Sequence, residues 1–118
     1  MKKIVSVVLV LISMGVNSVS AADTSMTDIL EYAQRTAKDY CSPKNTRCIN
    51  EFSNQVIISY KDGQMDSRSR FKDHSLSKRY ESRLLLTECI PSDEKYRTIC
   101  ESMVDRLVDS YNRGLNSK

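Results

Sequence analysis

Four cysteines are the residues of this chain best suited to covalent chemistry: Cys41, Cys48, Cys89 and Cys100. Six residues separate the first two and ten separate the last two. Structural zinc sites usually take cysteines about two to four residues apart on a tight turn, so this spacing predicts no metal site. No Cys-x-x-Cys motif is present, which argues against a thiol redox enzyme. In an oxidising compartment we expect these thiols to form structural disulfides.

The N-terminal segment bears on the compartment, because residues 1–21 have the pattern of a cleaved secretory signal peptide. A basic start precedes an apolar run from Ile4 to Val16, and Val19-Ser20-Ala21 supplies small residues for signal peptidase. The apolar run is shorter than the roughly 20 residues that a membrane-spanning helix needs. The sequence therefore predicts bacterial-type Sec export to the periplasm or medium, no stable membrane span, and a single mature domain over 22–118.

Acid–base catalysis has few candidate residues here. His74 is the only histidine, and its neighbours Asp73 and Ser75 are adjacent in the chain, where a catalytic triad cannot usually align. The carboxylates of Asp93 and Glu94 fit the first turn of a helix better than a glycosidase pair. Two glycines in 22–118 are too few for a phosphate-binding loop. The sequence predicts neither an enzyme nor a cofactor.

Charge is nearly balanced in the predicted mature chain. The whole chain carries +3; without Lys2 and Lys3 there remain 16 Lys and Arg against 15 Asp and Glu, which gives +1. Nucleic-acid-binding domains normally show a pronounced basic excess, so we predict no nucleic-acid partner. Positive charge is concentrated between Lys61 and Arg83, where seven basic and four acidic side chains give +3.

The segment around 61–77 lacks helical periodicity and is predicted to be a polar loop. Within it, Phe71 stands among the cations Arg68, Arg70 and Lys72. An aromatic anchor among flexible positive charges suits an acidic groove on another protein, which the predicted export would make an envelope or secreted protein. These four residues are the candidate binding site; the alternative interpretation is a plain solvated loop.

Helices are expected on both sides of this loop. The mature segment has two glycines and two prolines, far fewer than the turns of a many-stranded sandwich require. Apolar residues recur at helical spacing in four stretches: about 26–40, from Thr46 to a stop at Gly63, about 78–90, and 93–113 with Ser92 and Gly114 as caps. The β-branched run at 56–58 leaves a short strand open within the second stretch.

The four stretches pair into two helical hairpins, each with a proline-containing bend between two cysteines. Four cysteines permit three connectivities, and loop-closure energies of about 2.5–4 kcal/mol do not separate them. Position favours the local pairs Cys41–Cys48 and Cys89–Cys100. We therefore predict an all-α fold: a small bundle of about four helices, arranged as two helical hairpins stapled by two disulfides.

Small exported helical proteins with disulfides most often act by binding. Arg47-Cys48, the amphipathic stretch to Asp62-Gly63, and Cys89-Ile90-Pro91 are similar to segments of the cysteine-paired periplasmic immunity proteins of type VI secretion. Cys100 has no counterpart in that comparison. The sequence thus favours a non-enzymatic periplasmic binding protein of the inhibitor, immunity or assembly-adaptor type.

Two other classes remain open. A membrane-retained leader, followed by Cys100 and an amphipathic terminal helix, resembles the antiholins, which are phage lysis regulators. A small hydrolase would have to depend on His74, and is the less favoured interpretation. Rapid removal of the leader distinguishes a binding protein from the regulator.

Overall fold

The computed structural model describes residues 27–117, and this part of the chain is helical without strands. Helix α1 covers 27–40, α2 Thr46–Asp66, α3 Asp73–Leu84 and α4 Arg97–Leu115. A π-helix, Leu85–Cys89, continues α3, and a 3-10 helix, Glu94–Tyr96, leads into α4. The prediction of an all-α fold with four helices and two disulfides is confirmed. The predicted signal peptide at 1–21 lies outside the described residues.

The chain forms two compact units, Met1–Tyr32 and Ala33–Lys118. Of the first unit the structure describes 27–32, which are helical. The second unit contains both disulfides and the five elements that follow α1.

The first bend is closed by the Cys41–Cys48 disulfide, whose sulfur atoms are 2.02 Å apart. Asn45 is the N-cap of α2, and its side chain accepts a hydrogen bond from the Cys48 backbone N–H at 3.1 Å. This is the usual role of asparagine at a helix N-terminus, where backbone donors lack partners within the helix. The rings of Tyr40 and Phe52 lie 4.6 Å apart beside the bend.

Among α2, α3, α4 and the two short helices, α2 and α4 make the most extensive contact, and their backbones touch at Gly63 and Gly114. A Cβ atom on Gly63 would lie 2.1 Å from the Tyr111 carbonyl oxygen, and one on Gly114 would lie 2.1 Å from the Tyr60 carbonyl oxygen. We predicted that each glycine ends a helix. Both are instead buried inside helices, because the absence of a side chain allows the close approach.

The core lies where α4 packs against α2 and α3. In α4 the buried side chains recur at three- and four-residue steps, as predicted: Val104, Leu107, Val108 and Tyr111. Tyr96 and Ile99, which lie in the stretch 93–113 that we predicted to be one helix with an apolar face, are 52% and 55% exposed. The 3-10 helix that contains Tyr96 turns with fewer residues than an α-helix, so the apolar face does not continue through it.

The polar segment between α2 and α3 is shorter than the predicted loop at 61–77. Helix α2 extends to Asp66 and α3 begins at Asp73, which leaves a connection of residues 67–72. The part of α3 before the predicted start at about residue 78 has Leu76 as its one apolar residue, so its sequence shows no helical periodicity.

The second bend is closed by the Cys89–Cys100 disulfide, with sulfur atoms 2.06 Å apart. Ser92 does not cap α4 as predicted; its hydroxyl donates to the Glu88 carbonyl at 2.9 Å and so satisfies the end of the preceding helix. Cys89 is 2% exposed and belongs to the core cluster, which ties this disulfide to the packing of α3 against α4.

Candidate functional site

The connection between α2 and α3 presents all four predicted binding residues at the surface. Arg68, Arg70, Phe71 and Lys72 are exposed, and Phe71 keeps 55% of its surface accessible. Hydrogen bonds fix the connection, and they include Ser67 N–H to the Gly63 carbonyl, Ser69 N–H to the Asp66 carbonyl, and Phe71 N–H to the Ser69 hydroxyl. Phe71 is therefore held in place by its own turn rather than carried on an unrestrained loop.

Helix α3 adds two arginines that sequence reasoning did not include in the site. Arg79 and Arg83 are one helical turn apart and exposed. The Arg79 Cζ atom lies 5.5 Å from the centre of the Phe71 ring, and the Arg83 Cζ atom lies 5.1 Å from the centre of the Tyr80 ring. Their four-residue spacing in a predicted helix was the available signal. The contact with Phe71 depends on the turn at 67–72, which no sequence pattern indicated.

A shallow depression of about 300 Å³ lies beside these groups. Its base includes the rings of Tyr80 and Tyr111, which are stacked with centroids 4.1 Å apart and planes inclined by 9°. Phe71, Arg79 and Arg83 line the same depression. We call Phe71, Arg79, Tyr80 and Arg83 the arginine–aromatic surface. It combines apolar area with two cations in one place.

The tyrosine hydroxyls engage the acidic side chains of α2. Tyr111 donates to Asp66 Oδ2 at 2.5 Å, and Tyr80 donates to Ser59 Oγ at 2.8 Å and lies 3.3 Å from Asp62 Oδ2. Burial is the main reason that the pKa of each tyrosine is raised, and the neighbouring carboxylate raises it further. The stack is therefore neutral at physiological pH and links α2, α3 and α4 beneath the surface arginines.

Alkaline pH is expected to weaken the fold through this stack. Because the folded-state pKa of Tyr111 lies above its ordinary value of 10.0, the stability from its neutral hydroxyl is fully present below about pH 10 and is lost as the pH rises further. Tyr111→Phe should cost about 2 kcal/mol at pH 7. The difference in free energy of unfolding between the unaltered chain and Tyr111→Phe should become smaller between about pH 10 and pH 11. Urea titrations at each pH measure it; a constant gap would contradict the proposed linkage.

The residues considered for catalysis do not form a cluster with the arginine–aromatic surface. His74 and Ser75 are exposed in the first turn of α3, and Asp93 and Glu94 are exposed at the second bend. Among residues 27–117, no group of three or more His, Cys, Asp or Glu side chains is placed to hold a metal ion. No helix in the same range has the length and apolar character needed to cross a membrane.

Comparison with known proteins shows the family of this chain. A family model described as "Valyl--tRNA ligase modifier family" matches residues 1–117. The chain is also similar to the "Valyl--tRNA ligase modifier" of Enterobacteria phage T4, with 48% identity over 118 residues that cover 100% of both chains. No solved structure matches the chain.

These matches contradict the functional interpretation of the sequence. A family described by its relation to valyl-tRNA ligase is not one of periplasmic inhibitors, immunity proteins, assembly adaptors or antiholin-like lysis regulators. The predictions of export, of a periplasmic or secreted location and of an envelope or secreted partner are wrong for the same reason. The signal-peptide interpretation of 1–21 thereby loses its basis, and the family model includes that segment. Basic, apolar and small residues in that order are a general composition that does not by itself establish secretion.

Proposed function

Because the chain belongs to the valyl-tRNA ligase modifier family, we propose that it binds valyl-tRNA ligase and changes the properties of that enzyme without catalysing a reaction itself. The observation that carries this proposal is the similarity to the phage T4 modifier, which extends over the whole of both chains at 48% identity.

The chemistry of the exposed side chains supports binding rather than catalysis. The arginine–aromatic surface offers guanidinium groups, which are hydrogen-bond donors without an acceptor, and an aromatic ring. Such groups recognise anions and apolar surface but do not transfer protons at neutral pH. The two tyrosines with raised pKa values are engaged with carboxylates of their own chain, which gives them a structural role.

The proposed partner also implies a location. Valyl-tRNA ligase charges tRNA, which takes place in the cytoplasm, and a protein that binds the ligase acts there with it. Within the structure, we place the contact at Arg68, Arg70, Phe71 and Lys72, the exposed turn between α2 and α3.

Size-exclusion chromatography of the purified full chain with valyl-tRNA ligase tests this function. We expect the chain to co-elute with valyl-tRNA ligase and to elute separately from a different aminoacyl-tRNA ligase, which serves as the matched control. Mass spectrometry of the ligase recovered from the complex should show an unchanged covalent mass.

Two results would overturn the proposal. Separate elution from valyl-tRNA ligase would remove the binding function. A change in the covalent mass of the ligase after contact with the chain would mean that the chain is an enzyme acting on the ligase.

A further inference from the structure

The arginine–aromatic surface has the features of a carboxylate-binding site. Building on the function proposed above, we propose that Arg79 and Arg83 together bind an acidic segment of valyl-tRNA ligase, with Phe71 as the apolar anchor beside it. This assigns a recognition chemistry to the surface: carboxylates of a protein, next to an apolar side chain.

The geometry prepares the two arginines for this role. Each guanidinium stands near an aromatic ring, Arg79 at Phe71 and Arg83 at Tyr80, with Cζ-to-centroid distances of 5.5 and 5.1 Å. A guanidinium over a ring is restrained, while the N–H groups at its edge can still donate in pairs to a carboxylate. Because Arg79 and Arg83 lie one turn apart on the same face of α3, they can bind neighbouring carboxylates of one segment.

Within residues 27–117, no carboxylate forms an ion pair with Arg79 or Arg83. Asp66, which lines the same depression, accepts the Tyr111 hydroxyl, and Asp62 lies against the Tyr80 hydroxyl. The ion pairs Arg47–Glu51 and Lys78–Glu81 of the described chain involve neither Arg79 nor Arg83. The guanidinium edges therefore retain their capacity for an anion from outside.

The charge distribution favours a protein over a nucleic acid as the occupant. The segment 61–83 intersperses four acidic side chains among seven basic ones, for a net charge of +3, and the whole chain carries the same +3. Proteins that bind a phosphate backbone usually have a denser stripe of basic side chains than the segment 61–83. Arginine and aromatic residues around a partly apolar depression are instead the composition of protein–protein hot spots.

A second depression does not indicate a partner in the same way. It lies between α2, α3 and α4 and is lined in part by Ile58, Leu84, Met103 and Leu107. Its apolar lining does not specify what would cover it, whereas the arginine–aromatic surface specifies the charge of its partner.

Isothermal titration calorimetry of the full chain with valyl-tRNA ligase tests the proposal. The double variant Arg79→Gln/Arg83→Gln should bind at least about 30-fold more weakly, because truncating one side of a desolvated charge pair leaves the other unpaired. Phe71→Ala should weaken binding by about tenfold through loss of the anchor. The matched control Lys95→Gln/Arg97→Gln also removes two exposed charges, one of them stacked on Tyr96, and should change affinity less than about threefold.

Zero-length cross-linking gives a second measurement that needs no variant. A carbodiimide joins a lysine amine to a carboxylate with loss of water, so Lys72, the residue next to Phe71, should be found linked to an Asp or Glu of the ligase. If other lysines of the chain are cross-linked to the ligase and Lys72 is not, the assignment is overturned.

The outcomes separate the two proposals. If the unaltered chain does not bind the ligase, the proposed function fails. If it binds and the double variant binds equally well, the function stands and the carboxylate-binding site is wrong. If the double variant keeps its affinity for the ligase but loses affinity for tRNA, the surface binds nucleic acid, which also overturns the site proposed here.

Discussion

Reduction of both disulfides is expected to lower the free energy of unfolding by about 5 kcal/mol. The bridges close short loops, with sequence separations of 7 and 11, and loop-closure entropy gives roughly 2.5–3 kcal/mol for each. A single small domain has about 5–15 kcal/mol in total, so the reduced chain should be close to marginal stability. Urea denaturation with and without a thiol reductant measures the difference.

Single-bridge variants should divide this effect unequally. Each bridge joins a buried cysteine to a partly buried one, and Cys89, which is 2% exposed, is more deeply buried than Cys41, which is 6% exposed. Loss of the Cys89–Cys100 bridge should therefore lower the free energy of unfolding more than loss of the Cys41–Cys48 bridge, since the core also loses packing around Cys89. A reduced protein that unfolds at the same urea concentration as the oxidised one would show that the disulfides contribute nothing to stability.

The proposed location makes this result relevant to function. Cytoplasmic thiols are kept reduced, so a chain that acts beside valyl-tRNA ligase cannot rely on its disulfides there. Binding to a partner stabilises the folded state in proportion to the logarithm of partner concentration over Kd. At equal Kd we expect the ligase to add the same free energy of unfolding to the reduced and the oxidised chain, which is a larger share of the total stability of the reduced chain.

Gly63→Ala is expected to destabilise the protein by about 3 kcal/mol. In an isolated helix this substitution would be favourable by roughly 1 kcal/mol, because alanine is the better helix former. Here the added Cβ would lie 2.1 Å from the Tyr111 carbonyl oxygen and 2.9 Å from the Leu115 nitrogen. Both are backbone atoms of α4 that cannot rotate away, so α2 and α4 must separate and the surrounding core must loosen.

Gln64→Ala is the matched control, since it changes the next residue of α2, which is exposed. Its effect should stay within about 0.5 kcal/mol. Comparing melting temperatures and urea midpoints of the two variants with the unaltered chain tests the crossing. Gly63→Ala as stable as Gln64→Ala would mean that the helix backbones do not touch there.

Helix periodicity and the cysteine pattern sufficed to predict much of this fold. The stripe from Val104 to Tyr111 follows directly from three- and four-residue spacing, and the cysteine pairs at two proline-containing bends indicated where the disulfides lie. The roles of Gly63 and Gly114 could not be predicted, because a glycine that ends a helix and one that permits a helix crossing look the same in sequence.

The candidate site was predictable only in part. Phe71 and its flanking cations were identifiable from composition, but the partners of Phe71 and Tyr80 come from a tertiary arrangement. Placing Arg79 against Phe71 requires the turn at 67–72, and stacking Tyr80 on Tyr111 requires the crossing of α3 and α4. The prediction of function was wrong at a different step. The cysteine pairs and the apolar N-terminal segment suggested a compartment, and the compartment then suggested a partner.

Titration of valyl-tRNA ligase with the full chain tests the central claim most directly. The measured quantity is the rate of tRNA valylation at increasing ratios of chain to ligase. A non-catalytic partner should change this rate in proportion to the complex formed, and the effect should reach its limit only when the ligase is saturated. A full effect at a small fraction of the ligase concentration, or no effect at any ratio together with no detectable complex, would contradict it.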